Sequence, residues 1–159
     1  MSDAVRAEAG PGIERRAVSQ QKRRRDEVWI AATAMIAAML VLPLAPSSWH
    51  GPEVASVLAV AATALFAGQR WAIAVIVIAE LLLVPTIWPR AFFPDHGGLA
   101  LRMMAFGSLI AVVPGLLAMR RAAAALVVLG GLRRTRSVCR RFQVGLVLMG
   151  LVAGILPLL

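Results

Sequence analysis

The chain alternates long apolar runs with short polar ones, and the length of each apolar run decides what it can become. VWIAATAMIAAMLVLPLAP, residues 28–46, has nineteen residues, close to the ~20 that a helix needs to cross about 30 Å of hydrocarbon. The runs at 71–89 (WAIAVIVIAELLLVPTIWP), 99–119 (LALRMMAFGSLIAVVPGLLAM) and 142–159 (FQVGLVLMGLVAGILPLL) reach the same range. VASVLAVAATALFAG, 54–68, is short for a span and needs its flanks. AAAALVVLGGL, 122–132, gives only ~16 Å of helix between arginine clusters, so both of its ends are expected on one side. The pattern predicts an all-α, polytopic transmembrane helical bundle over 28–159, with five spans and one short interfacial or re-entrant segment.

Residues 1–27 lack apolar periodicity, carry Gly10, Pro11 and Gly12, and hold Arg15, Arg16 and the KRRR of 22–25, which predicts a disordered basic tail. Asp26 and Glu27 then stand where a helix N-terminus favours negative charge. A basic leader before an apolar run resembles a signal peptide. This run is too long for one, and LPLAP offers no good small-x-small cleavage site, so the first helix is expected to be retained. The five acidic residues of the tail argue against a mitochondrial presequence.

Composition agrees with the pattern. Sixty per cent of the 159 residues are hydrophobic, more than soluble domains usually carry. Sixteen of the seventeen basic residues are Arg and Tyr is absent, which with the abundance of Ala, Leu and Val reads as GC-rich coding and a bacterial chain. The net charge of +9 does not signal nucleic acid, because the arginines flank apolar runs, where they set orientation and meet anionic headgroups. With the N-terminus inside, the tail, Arg70 and residues 120–141 place fifteen basic residues on the inner side, against Arg90 and Arg102 outside. The expected topology is therefore N-terminus cytoplasmic and C-terminus periplasmic in a bacterial inner membrane. Trp29, Trp49, Trp71 and Trp88 fall at span ends, where indole prefers the headgroup region.

Apolar burial does not drive helices together in lipid, so small residues and interhelical hydrogen bonds carry the packing. Ala55, Ala59, Thr63 and Ala67 recur at spacing four, the fourth span offers Gly107, Ala111 and Gly115, and the fifth offers Gly150 and Gly154. These are candidate helix-packing faces, and GLVAG is both a candidate docking face and a candidate internal contact. Pro85 and Pro114 remove backbone donors and displace the carbonyls of Leu81 and Ile110, so a kink is expected at each.

Glu80 is the one acid inside a span. Counted from the outer span ends it lies at the depth of Thr63 and Ser108, and the three form a candidate intramembrane polar cluster. One reading bonds a neutral Glu80 to Thr63, Ser108 or a proline-freed carbonyl; a second pairs it with a group on another subunit; a third gives it proton or cation transfer. Arg102 lies about 9 Å shallower and is expected to reach outward to headgroups rather than to Glu80.

No span holds a histidine and Cys139 is the single cysteine, so bilayer haem ligation and cysteine clusters are excluded and no cofactor or metal is expected. In the outer loops His50, Glu53, Asp95 and His96 form a weak candidate metal or acid–base set, whose first reading is turn and loop chemistry. Arg120, Arg121, Arg133, Arg134, Arg136, Arg140 and Arg141 have no acid among them and are candidates for lipid headgroups or an acidic partner. The function expected is a non-catalytic accessory or scaffold subunit of a larger inner-membrane complex, its partners other integral membrane subunits and anionic lipids. The alternatives are a small oligomeric transporter or channel using Glu80 and, more weakly, an enzyme of lipid or envelope substrates using the outer-loop residues.

Overall fold

The computed structural model describes residues 11–47, 51–93, 98–131 and 135–155, and every regular element among them is helical. In chain order these are α1 (Pro11–Val41), continued by a 3-10 helix (Leu42–Ser47), α2 (Gly51–Phe66), α3 (Ala72–Phe92), α4 (Leu99–Leu117), α5 (Met119–Leu129) and α6 (Arg136–Ile155). Val18–Leu44, Ala72–Phe92 and Leu99–Leu117 are long and apolar enough to cross a membrane; Pro52–Phe66 is a shorter apolar helix.

Local chemistry explains most of the boundaries. α1 tightens into the 3-10 helix at LPLAPS, where Pro43 and Pro46 withhold the amide donors that an α-helix would use. α2 ends in a Schellman turn: Gly68 takes φ +86°, its amide donates to the Leu65 carbonyl at 2.9 Å, and the Gln69 amide donates to Ala64 at 3.0 Å. Only glycine adopts that backbone without strain, and the turn sends α3 back along α2. α3 continues through Pro85 and Pro89, and α4 through Pro114.

α1, α2, α3 and α4 pack in a closed ring, each against the next and α4 against α1. α3 also packs against α5 and α6, which pack on each other, so α3 is the helix shared by both groups. Its burial follows: eleven of its residues are buried, among them Ile73, Ile76, Val77, Glu80, Leu81, Leu83 and Ile87. A helix apolar on every side belongs in such a position. α1, α4 and α6 instead leave large apolar side chains such as Met39, Ile110, Leu117, Leu148 and Val152 exposed, a surface suited to hydrocarbon.

Two expectations are corrected. Among the described residues three helices, not five, have full spanning length and apolarity, because α2 has only sixteen residues and α6 begins in the charged RSVCRR, leaving residues 142–155 as its described apolar part; 156–159 of the expected fifth span lie outside the described residues. The tail expected to be disordered is helical from Pro11, so the first helix has 31 residues. Lys and Arg are good helix formers, and once the apolar half is fixed the helix extends outward through QQKRRRDE at little cost. The short element expected at 122–132 is a short helix shifted by three residues, Met119–Leu129, followed by Gly131 at φ +65°.

Candidate functional site

Two charged regions stand out. The first lies midway along α3, where Glu80 is 0 % exposed. Gly115 of α4 stands directly against it: a Cβ at 115 would overlap the Glu80 carboxylate. The absence of a side chain at 115 is therefore what allows the carboxyl to sit between α3 and α4. Neither carboxyl oxygen has a hydrogen-bond partner among the described residues.

No hydrogen bond among the described residues joins Glu80 to Thr63 or Ser108. Thr63 is exposed and its hydroxyl donates to the Val60 carbonyl at 2.7 Å. Ser108 is buried, but its hydroxyl donates to the Ala105 carbonyl at 2.9 Å. Equal depth in the bilayer was the reasoning behind the cluster, and depth says nothing of rotation about the helix axis. Each hydroxyl instead takes the carbonyl one turn back, the ordinary solution for Ser and Thr in a helix. Arg102 does not reach Glu80 either; its Nε donates to the Ala91 carbonyl at 3.1 Å and its guanidinium lies 6.0 Å from the Phe106 ring centroid.

The small-residue faces pack inside the chain. Ala55, Ala111 and Gly115 are buried and Ala59 is half-buried against the core. A Cβ at Gly107 would lie 3.2 Å from Leu40 Cδ1, and one at Gly150 would lie 2.9 Å from Leu81 Cδ2, so Gly150 brings α6 onto α3. Gly154 has open space beside it. The Gly150 end of GLVAG is thus an internal contact.

The second region lies at the end of the bundle that holds the start of α3. A cleft of about 1130 Å³ is lined by six arginines: Arg23 of α1, Arg70 before α3, Arg120 and Arg121 of α5, and Arg136 and Arg140 of α6. Ile73, Ala124, Ala125, Val128 and Leu129 give it an apolar wall, and Trp71, Thr135, Cys139 and Gln143 complete the lining. None of these is acidic. Arg23 pairs with Glu27 at 3.1 Å, and Arg121 pairs with Asp26 at 2.7 Å, a link that ties α5 to α1. Arg70, Arg120, Arg136 and Arg140 form no ion pair among the described residues.

Of the arginines marked from sequence, Arg120, Arg121, Arg136 and Arg140 line this cleft. Arg141 is exposed and does not, and Arg133 and Arg134 lie outside the described residues. Sequence reasoning did not join Arg23, Arg70 and Trp71 to the group. For the two arginines the signal was present, since the count of basic residues places both on one side of the bilayer.

At the opposite end Arg90 donates to the Leu44 carbonyl at 2.6 Å, fastening α3 to the 3-10 helix. Trp88, Phe92, Phe93 and Phe106 cluster there, with Phe92 edge-on to Phe106 at 5.2 Å. Of the outer-loop set, His50, Asp95 and His96 lie outside the described residues, and Glu53 occupies the first turn of α2. Among the described residues no three of His, Cys, Asp and Glu converge. The chain matches no protein-family model, no curated protein and no solved structure.

Proposed function

We propose that this protein is a non-catalytic accessory or scaffold subunit of a larger bacterial inner-membrane complex. In this reading it has five membrane-inserted segments, a cytoplasmic N-terminus and a periplasmic C-terminus, and its neighbours are other integral membrane subunits and anionic lipids. The observation that carries the reading is the closed interior: Glu80 is fully enclosed with Gly115 against its carboxyl, and neither the arginine cleft nor a smaller one of about 220 Å³ between α2 and α3 includes it. The chemistry left for function is on the outside, in the exposed apolar faces and the arginine-lined end. The gathering of Arg23, Arg70, Arg120, Arg121, Arg136 and Arg140 at one end favours that end as the cytoplasmic one.

The test is gentle extraction of the tagged chain at native expression, followed by mass determination. A stoichiometric assembly with other membrane chains supports the reading; a lone monomer or homo-oligomer refutes it. A second reading, transport through Glu80, is favoured by its unpartnered carboxyl oxygens and by Pro114 beside Gly115. Glu80→Gln separates the two, because it removes the titratable proton and nearly keeps the shape. Assembly survives the change under the first reading, and proton-coupled flux is lost under the second.

A further inference from the structure

We propose that the arginine-lined cleft is a binding site for a phosphoryl-bearing anion with charge for two phosphates, supplied by an anionic phospholipid or by a soluble diphosphate. Arg70, Arg120, Arg136 and Arg140 come from three separate parts of the chain, face one cleft of about 1130 Å³, and have no carboxylate partner among the described residues. Four guanidinium groups gathered without counter-charge repel one another, and an anion between them removes that repulsion. The guanidinium fork matches phosphate oxygens two at a time, so four forks suit two phosphates.

The backbone adds to the same field. The N-terminal residues of three helices line the cleft: Arg70 and Trp71 before α3, Arg120 and Arg121 of α5, and Thr135 and Arg136 at the start of α6. None of the three helices has an acid in its first turn. The first amides of α3 are taken by backbone carbonyls, Ala72 by Gln69, Ile73 by Arg70 and Ala74 by Trp71, so what the helix starts add is the partial positive charge of their dipoles, which favours an anion. Asp26 and Glu27 are the nearest described acids, and they are engaged by Arg121 and Arg23.

The apolar part of the lining decides which source fits better. Ile73, Ala125, Val128 and Leu129 line the same cleft, and α5, with Ala122, Ala123 and Val127 buried, leaves Val128 and Leu129 exposed. Arginines and apolar side chains lining one cleft suit a lipid with two phosphates better than a soluble anion, and basic pockets between membrane helices on the inner side are where such headgroups bind. This site is independent of whether the chain belongs to a larger complex.

The test uses the full chain in nanodiscs of phosphatidylcholine with and without cardiolipin, reading retained lipid by native mass spectrometry, and in parallel titrates inorganic pyrophosphate into lipid-free detergent samples. Arg136→Gln with Arg140→Gln removes two exposed cleft arginines; Arg24→Gln with Arg25→Gln removes the same charge from exposed positions outside it. Retention of cardiolipin over phosphatidylcholine, weakened about tenfold by the cleft pair and unchanged by the control pair, supports a lipid occupant. Pyrophosphate binding with that same variant dependence, without cardiolipin retention, supports the phosphoryl site and assigns it a soluble source. Binding of neither by the unaltered chain, or equal loss in both variant pairs, overturns the proposal.

Discussion

Midway along α3 a single carboxyl is enclosed against a glycine, while at the start of the same helix six arginines share an open cleft. One helix thus carries charge chemistry of two kinds. Glu80 is accommodated by subtraction: position 115 gives up its side chain, and no hydrogen bond among the described residues replaces what the carboxyl loses on leaving water. The arginines are accommodated by exposure, with two paired to neighbouring acids and four left unpaired. The comparison teaches that the presence of an ionisable group in an apolar helix does not by itself say whether it is a working site. What surrounds it, and whether anything can reach it, decides that.

The largest effect is expected at the glycine. Gly115→Leu places a side chain where the Glu80 carboxyl lies, so α3 and α4 must separate, and stability should fall by about 1–3 kcal/mol in detergent unfolding. Combining it with Glu80→Ala should recover part of the loss, a coupling that a double-mutant cycle measures directly. Additive losses would mean that the two residues do not share the space.

Glu80→Met comes next. It replaces an unpartnered buried carboxyl with an apolar side chain of similar volume, and a gain of about 1 kcal/mol is expected. A marked loss of stability would reveal a partner that the comparison lacks. Gly150→Ala should cost less than about 1 kcal/mol, because the atom it meets is the end of the flexible Leu81 side chain rather than backbone. A larger loss would make the α6–α3 contact as unforgiving as the one at Gly115.

The smallest effect is expected at the open end. Arg121→Gln removes the ion pair with Asp26, both members of which are about 40 % exposed, and the melting temperature should stay within experimental scatter at ordinary salt. A clear drop would show that the α1–α5 link holds the cleft together.

Much of this fold was legible in hydropathy. The runs at 71–89 and 99–119 fall within a few residues of α3 and α4, because a long apolar stretch satisfies its backbone in lipid as a helix, although α3 continues past Pro89 and Arg90 to Phe92. The charged helical starts of α1 and α6 were not legible, since hydropathy marks where lipid begins rather than where helix begins. At the site, Glu80 and four of the seven marked arginines were found from sequence, but their neighbours were not. Thr63 and Ser108 share a depth with Glu80 and Gly115 was noted only as a small residue, because spacing along a chain gives depth and not which helix faces which. The arginine cleft needed the fold to bring residue 23 beside residues 121 and 140.

The most direct test of a closed middle and an open, cytoplasmic basic end is labelling by a membrane-impermeant maleimide. The probes are Glu80→Cys and Arg140→Cys, each in a Cys139→Ser background, in sealed vesicles of both orientations. The account predicts labelling at 140 from the cytoplasmic face alone and none at 80 from either face. Labelling at 80 from either side, or at 140 from the periplasmic side, would contradict it.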